Sequence, residues 1–146
     1  MREWPYKHVP RKIIAEELLE SETGDLWDYK VMCFGGQPKL IQVHRGRFTH
    51  QTQDIYDTNW NKLKISQPGY PYTEDQIKRP ELLEEMLGLS ATLAEGIPQI
   101  RVDWYLTNGK LYFGELTFFD AAGYADWEPE EWNKKLGDMI ILPNIK

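Results

Sequence analysis

Residues 101–123 read RVDWYLTNGKLYFGELTFFDAAG and decide the fold of this 146-residue chain. Asn108-Gly109 is the strongest short-range turn signal in the stretch, because both residues tolerate a positive φ. Valine, tryptophan, tyrosine and phenylalanine on either side favour a pleated backbone. The stretch therefore predicts two antiparallel strands joined by a tight two-residue turn.

The same hairpin carries acidic and basic side chains near one end. Arg101 and Asp103 lie on its first strand, and Glu115 and Thr117 lie on its second. Paired carboxylates are ligands of Mg²⁺, and arginine binds phosphate groups. A simpler alternative is that Arg101 and Asp103 form an ordinary surface ion pair, worth under about 1 kcal/mol.

The register of the hairpin bears on this choice. An ideal Asn-Gly turn pairs Thr107 with Lys110 and places Val102 opposite Glu115, which turns Asp103 to the other face of the sheet. A metal site shared by the two carboxylates then fails. Because bulges re-aim side chains near active sites, we predict a bulge or a three-residue loop that shifts the register by one residue.

The composition fits one globular domain over residues 1–146, since a chain of this length with 41% hydrophobic residues can bury a core. The formal net charge of −6 argues against general nucleic-acid or anionic-membrane binding. No apolar run approaches the roughly 20 residues of a membrane span. The N-terminus has no apolar leader segment, and the lone Cys33 cannot form an internal disulfide. We therefore expect a cytoplasmic protein.

Patterning predicts the remaining elements. Two prolines make residues 1–11 an extended lead-in. Apolar and β-branched residues predict strands over 12–19, 27–34 and 39–44, arranged as an antiparallel meander. The pattern then loses periodicity over 45–73, which predicts a long, partly ordered loop.

The C-terminal half adds helices to this sheet. Pro80 suits a first helical position, and the residues that recur at helical spacing after it predict a helix over about 80–95. These residues are Leu82, Leu83, Met86, Leu89 and Leu93. A loop over 120–125 precedes a short helix opened by Pro129. The predicted fold class is α+β, with helices packed against a largely antiparallel sheet.

Several segments together resemble a known family. The order R-x-D, a Gly-Lys turn and YFGELTF resembles the metal-binding end of ATP-grasp enzymes, whose usual pattern is R-x-D followed by E-x-N; Thr117 stands where most of the superfamily has Asn. Further matches are IIAEELL at 13–19, DYKVMCF at 28–34, and KLIQV at 39–43 leading to Arg47-Phe48. They are similar to the TupA-like ATP-grasp family, associated with teichuronopeptide and other cell-envelope polysaccharide biosynthesis. The resemblance covers nearly the whole chain.

The resemblance implies ATP and Mg²⁺ as cofactors and a role for each hairpin side chain. Asp103 and Glu115 would hold the metal ions, Thr117 would add a weaker oxygen contact, and Arg101 would stabilise charge on the transferred phosphoryl group. It also implies that a hinge segment borders the adenine and that Asp28 is a candidate for the ribose. The hinge residues are Glu16, Glu17, Leu18 and Leu19.

The residues themselves leave alternatives open at these positions. Glu16 and Glu17 interrupt an apolar segment, so each faces either a ligand or plain solvent. The positively charged side chains of Lys30 and Arg47 could face a phosphate-bearing ligand. Charges at alternate strand positions more often indicate a solvated face of the sheet. Arg47 also matches a family position just after the third predicted strand.

An ATP-grasp ligase uses ATP to convert a carboxylate into an acyl phosphate, which an amine opens into an amide. The implied partners are therefore a nucleotide and a carboxylate or sugar-acid substrate. The family fold clamps the nucleotide between two α+β subdomains, and this sequence resembles the C-terminal one. We expect it to be incomplete as a catalyst and to need a missing N-terminal subdomain or a homo-oligomer, with an exposed apolar strip on the first strand or the long helix for docking.

The alternative is a non-catalytic saccharide- or partner-binding module derived from the same fold. The chain has 6 Trp and 8 Tyr, and flat rings flanked by amides and carboxylates suit a sugar-binding surface, although most such rings are core or loop anchors. Trp60, Tyr70 and Tyr72 are the candidates.

Overall fold

The computed structural model describes residues 4–21 and 24–143 of the chain. Within this part, the strands are β1 (Asp28–Phe34), β2 (Gln37–Arg45), β3 (Thr52–Asp57), β4 (Lys62–Leu63), β5 (Gln99–Thr107) and β6 (Lys110–Thr117). The helices are α1 (Leu83–Leu93) and α2 (Glu131–Asp138), with single 3₁₀ turns at Trp4–Tyr6 and Asp120–Gly123. Neither helix is long and apolar enough to cross a membrane.

The strands form one antiparallel sheet in the order β4-β3-β2-β1-β5-β6. Both helices pack against this sheet, which confirms the predicted α+β class. The first face of the sheet carries the larger apolar core, which packs under α1. Fully buried members of this core are Val31, Ile41, Val43, Tyr56, Ile100, Val102, Leu83 and Met86.

The second face of the sheet is divided because β1 changes from polar to apolar along its length. Met32 and Phe34 lie toward its C-terminal end and pack with Trp127 and Leu136, which belong to the segment around α2. Asp28, Lys30 and their neighbours on β2 and β5 lie toward the other end. We call this second part of the face the polar half, and it is the part that α2 leaves uncovered.

The predicted bulge in the hairpin is confirmed. Thr107 pairs with Lys110 as an ideal two-residue turn requires, but the register shifts before Val102, which pairs with Leu116 instead of Glu115. Gly114 sits at the shift, where an added Cβ would lie 3.1 Å from the backbone oxygen of Asp103. The bulge therefore brings Asp103 and Glu115 to the same face of the sheet.

The strand predicted over 12–19 is wrong. This segment is irregular, and Ile13, Ile14 and Leu18 are exposed. β1 already pairs with β2 on one side and β5 on the other, so a strand preceding β1 has no free edge beside it. The apolar residues also run in pairs instead of alternating, which gives the segment no single face to bury.

The long loop predicted over 45–73 is also wrong in part, since β3 and β4 form within it. β3 was not predicted because it contains Gln53 and Asp54, two polar residues that are fully buried here. Asp54 accepts hydrogen bonds from Arg45 Nη2 at 2.8 Å and from the backbone and hydroxyl of Thr73 at 3.1 and 2.8 Å. Lys62 Nζ lies 2.8 Å from the same carboxylate. These ion pairs and hydrogen bonds of Asp54 hold the segment after β4 against the sheet.

Smaller corrections concern the lead-in and the helices. The predicted extended lead-in contains the 3₁₀ turn at Trp4–Tyr6, and the Tyr6 hydroxyl accepts a hydrogen bond from the backbone of Phe118 at 2.9 Å. The helix predicted over about 80–95 is confirmed as α1, but Leu89 and Leu93 are exposed while Ser90 is buried. Val9, Ile13, Ile14 and Leu18 are exposed as well, and the apolar strip that was expected for docking stays a prediction. The short helix after Pro129 is confirmed as α2.

Candidate functional site

The polar half of the second face forms the floor of a cleft with a volume of about 620 Å³. Strands β1, β2 and β5 supply the floor, because alternate residues of adjacent strands point to the same side. The floor residues are Asp28, Lys30, Gln42, His44 and Arg101. Loops after β2, β4 and β6 supply the walls, which include Arg47, Gln51, Gln67, Tyr70, Asp120, Tyr124 and Asp126. The cleft is the candidate functional site.

Arg101 is the centre of the charged side of the cleft. Its Nη2 atom donates hydrogen bonds to Asp103 Oδ2 at 2.8 Å, Glu115 Oε1 at 3.1 Å and Thr117 Oγ1 at 3.1 Å. Its Nε donates to Asp103 Oδ1 at 2.7 Å, and its Nη1 donates to Asp120. The three side chains that were predicted as metal ligands thus converge on one cationic atom.

The electrostatics of this cluster favour the charged guanidinium. Burial alone would lower the pKa of Arg101, but the hydrogen bond and charge of Asp103, followed by Asp120 and Glu115, raise it above its ordinary value. Asp103 is only 2% exposed, so its carboxylate depends on these cations for stabilisation.

Lys30 is the second cation of the cluster. Its ammonium group lies 2.7 Å from Asp28 Oδ2 and also pairs with Asp103. Burial raises the pKa of the Asp28 carboxyl, and the charge and hydrogen bond of Lys30 oppose that rise. The other oxygen of Asp28, Oδ1, is buried without a hydrogen-bond partner among the described residues. A ligand that donates a hydrogen bond there would satisfy a polar atom that the chain leaves unpaired.

The cluster carries more negative than positive charge. Four carboxylates face two cations, which leaves an excess of two negative charges when all are ionised. A polyphosphate entering alone would meet net repulsion. It would be accommodated if it brought cations with it.

An uncharged side of the cleft lies next to the charged cluster; we call it the uncharged wall, and it includes the floor residues Gln42 and His44. Burial, followed by the charges of Lys30 and Arg101, lowers the pKa of His44 to about 4, so its imidazole is neutral at pH 7. Its Nδ1 lies 3.2 Å from the Gln51 amide nitrogen and its Nε2 lies 3.2 Å from that of Gln53. The edge of the Tyr70 ring packs against it with 5.3 Å between ring centres. This wall offers hydrogen bonds without charge.

The structure separates the predicted cofactor-binding residues into two groups. Asp28, Lys30 and Arg47 line the cleft. Glu16, Glu17 and Leu18 are exposed in the irregular segment before β1, Leu19 is half-buried beside them, and none of the four is among the described residues that line the cleft. Their role at the adenine stays a prediction.

The three aromatic rings proposed for saccharide binding lie in different parts of the structure. Trp60 is buried in the core, where it stacks on Tyr56 with 4.2 Å between ring centres, so it cannot serve as a sugar platform. Tyr72 packs on the Lys62 ammonium group at 4.7 Å. Tyr70 lines the cleft.

Some cleft residues were missed by sequence reasoning. Asp120 lies in the turn after β6 and accepts a hydrogen bond from Arg101. An acidic residue three positions after Thr117 was the feature of the sequence that could have placed it near the hairpin residues. Gln42 and His44 alternate with the core residues Ile41 and Val43 along β2, which could have placed them on one face beside Asp28 and Lys30. Buried amides give little sequence signal because glutamine is normally exposed.

A second cavity, of about 840 Å³, adjoins the cleft and is largely apolar. Phe118, Phe119, Trp127 and Leu136 contribute to its lining. Asp120, Ala125 and Asp126 line both cavities, so the segment between β6 and α2 forms a shared wall.

The hairpin oxygens have the chemistry of a magnesium site that is completed by phosphate. Among the described residues, no group of three or more His, Cys, Asp or Glu side chains is placed to hold a metal ion. Mg²⁺ is commonly held by one or two carboxylates together with substrate phosphates instead of a full protein cage. Two carboxylates and a hydroxyl that converge on one cation position fit that pattern.

The bulged hairpin carries R-x-D and E-x-T around one cation position on the uncovered face of an antiparallel sheet, and this α+β fold is consistent with a subdomain of the ATP-grasp class. The comparison with protein families is more specific: the TupA-like ATPgrasp family model matches residues 1–141, and the chain belongs to this family. No match was found among curated proteins or among solved structures.

Proposed function

We propose that the cleft binds Mg-ATP and that the chain is the nucleotide-binding part of a carboxylate-amine ligase of cell-envelope polysaccharide or teichuronopeptide biosynthesis. Membership in the TupA-like ATPgrasp family supports nucleotide chemistry in general. The observation that carries the proposal is the convergence of Asp103, Glu115 and Thr117 oxygens on the Arg101 guanidinium. Such a set of hard oxygen ligands beside two cations suits a metal-bound polyphosphate.

The proposal gives roles to residues that line the cleft and to Asp103, Glu115 and Thr117, which are not among the described lining residues but contact the lining residue Arg101. Asp103 and Glu115 hold the metal, with Thr117 as a weaker oxygen ligand. Arg101 and Lys30 bind phosphate oxygens, and Arg47 binds phosphate from the rim. When bound, Mg²⁺ supplies the positive charge that the phosphates need in a cleft with excess carboxylates. Asp28 has an unpaired oxygen that can accept a hydrogen bond from a ribose hydroxyl.

The reaction class needs no side-chain nucleophile. A carboxylate oxygen of the substrate would attack the γ-phosphorus while the bond to the β–γ bridging oxygen breaks and ADP leaves, and the protein would contribute position and charge. Arg101 is held by four neighbours before a ligand enters, and its guanidinium would turn from them to the phosphoryl group to stabilise the charge that develops there. The substrate would be a carboxylate or sugar acid. The irregular segment with Glu16, Glu17, Leu18 and Leu19 would border the adenine.

Calorimetric titration with Mg-bound, non-hydrolysable ATP analogue tests the proposal. Glu115→Gln keeps the volume of the side chain and removes the charge that the cation requires, so metal-dependent binding should fall at least tenfold. The Glu115 side chain is 63% exposed, so the melting temperature should stay within about a degree of wild type, since exposed substitutions rarely change stability. Glu95→Gln, at the exposed end of α1, is the matched control and should bind like wild type. Equal affinity in all three proteins would refute the metal site.

The uncharged wall supports one second candidate, a non-catalytic saccharide-binding module. Gln42, Gln51, Gln67 and Tyr70 offer amide hydrogen bonds and one ring in the same cleft. This candidate requires saccharide binding without metal or nucleotide. Titration with acidic and neutral oligosaccharides in the presence of EDTA separates it from the first proposal.

A further inference from the structure

The protein's own cation lies at the point where the predicted metal ligands meet. The three oxygens of Asp103, Glu115 and Thr117 all lie within 3.1 Å of Arg101 Nη2. Lys30 holds the same Asp103 carboxylate from the β1 side. A divalent ion placed among these oxygens would therefore stand next to a guanidinium and an ammonium group. Like charges at such short range repel strongly in a partly buried site.

We propose that Arg101 and Lys30 lock the metal ligands in the nucleotide-free protein, and that the phosphates of the nucleotide release this lock by taking both cations. This inference rests on the proposed function and adds the order of events. Metal alone is excluded, while nucleotide and metal are admitted together.

The exchange replaces ion pairs within the protein by ion pairs with the ligand. Before binding, two cations neutralise part of a cluster of four carboxylates. A polyphosphate offers Arg101 and Lys30 alternative acceptors, since arginine binds phosphate as well as carboxylate in a bidentate manner. Asp103 and Glu115 then lose their internal partners, and their charge is available to the divalent ion that accompanies the phosphates. Asp28 also gives up Lys30 and can accept a hydrogen bond from a ribose hydroxyl, whereas Asp120, whose side chain is 18% exposed, gives up Arg101 and is left to solvent.

The positions of the side chains make this exchange possible without moving the sheet. Asp103 is 2% exposed and stays fixed by β5, whereas the Glu115 side chain is 63% exposed on the edge strand β6. Arg101 and Lys30 both line the cleft, so their long side chains can turn toward a ligand inside it. The lock is therefore a change of side-chain partners.

The test measures binding of Mn²⁺ alone, by electron paramagnetic resonance, to the full chain without nucleotide. Arg101→Gln removes one of the two resident cations and leaves a shorter, uncharged polar side chain. We expect it to bind Mn²⁺ at least tenfold more tightly than wild type does. Arg101→Lys keeps one positive charge but cannot reach all of its acceptors, and we expect a gain of at least threefold. This second variant keeps a partner for Asp103 and decides the question if the glutamine variant does not fold.

A double variant shows whether the gained ion sits at the cluster. Arg101→Gln combined with Glu115→Gln should return Mn²⁺ binding to the wild-type level, whereas Arg101→Gln with Glu95→Gln should keep the gain. The absence of any gain in both Arg101 variants, or a gain that survives loss of Glu115, would overturn the lock.

A second measurement distinguishes failure of the lock from failure of the proposed function. Wild type should bind Mn²⁺ at least tenfold more tightly with a saturating non-hydrolysable ATP analogue than without it. If it does so and the Arg101 variants show no gain, only the lock is wrong. If no protein binds the ion with or without the analogue, both the proposed function and the lock are wrong.

Discussion

The backbone of Gly114 lies so close to Asp103 that a Cβ at position 114 would stand 3.1 Å from the Asp103 carbonyl oxygen and 3.2 Å from the Tyr105 ring. This contact forms where the register of the β5–β6 hairpin shifts. A side chain at position 114 would therefore crowd the bulge that brings the two carboxylates to one face.

Gly114→Ala should perturb the site through this contact. The carbonyl is part of the β5 backbone and cannot move away cheaply, so the added methyl group should destabilise the fold by about 1 kcal/mol, as overpacking does. Binding of Mg-bound ATP analogue should weaken at least tenfold, because the strands are pushed apart beside Asp103. Gly137→Ala, in α2 where an added Cβ meets nothing within 4 Å, is the control. Urea denaturation measures the stability of each protein, and titration measures its affinity for the Mg-bound ATP analogue. Unchanged binding by Gly114→Ala would exclude this role of the bulge.

For the hairpin, the sequence was enough to predict the turn and the register but not the side-chain partners. Asn108-Gly109 fixed the turn, and the demand that Asp103 and Glu115 share a face predicted the shift that is observed. The lock by Arg101 and Lys30 could not be predicted, because it depends on side-chain partners that come from β1, β5 and the turn after β6. Strand periodicity reports which face a residue occupies and says nothing about its partner.

The failures have a different physical cause. Ile13 and Ile14 have the residue types of a strand, but β1, the next strand along the chain, is paired on both sides, so a strand before it cannot pair beside it in a meander. β3 was missed because the Asp54 carboxylate and the Gln53 amide nitrogen find hydrogen-bond partners inside the protein. Local sequence cannot reveal such long-range pairing.

Asp54→Asn should destabilise the fold strongly. The Asp54 side chain is fully buried and neutralises Arg45 and Lys62, so the asparagine leaves two cations without their counter-charge. Breaking a buried pair in this way costs about 3 kcal/mol. Urea denaturation at pH 7 measures the loss. Asp75→Asn, on the exposed segment nearby, should change the free energy of unfolding by less than about 0.5 kcal/mol, and an equally small effect at Asp54 would contradict this account.

His44 should make the fold sensitive to mild acid. Its folded-state pKa of about 4 lies below the ordinary 6.5 of the unfolded chain, so the unfolded state takes up the proton first. The stabilisation is present above about pH 6.5 and is lost as the pH falls toward 4, by up to about 3 kcal/mol. Urea melts at pH 7.5 and 4.5 should show this loss in wild type.

His44→Gln isolates that contribution, since carboxylates that titrate over the same range are common to both proteins. The variant should lose distinctly less stability than wild type between the two pH values. His50→Gln, at an exposed position, should follow wild type. Identical pH dependence in wild type and His44→Gln would show that His44 is not the sensitive group.

Lys30→Gln should weaken nucleotide binding without removing the site. Its ammonium group bridges Asp28 and Asp103 on the floor of the cleft, and a phosphate entering the cleft would gain that cation. Loss of the charge increases the excess of carboxylates, so affinity for Mg-bound ATP analogue should fall about tenfold, the size of one charge-assisted contact. Lys39→Gln is the matched control, because Lys39 is exposed on β2 and is not among the described residues that line the cleft. Titration at two salt concentrations provides a further check, since the wild-type advantage over Lys30→Gln should shrink as added salt screens the contact. Equal affinity in Lys30→Gln and Lys39→Gln would remove Lys30 from the phosphate site.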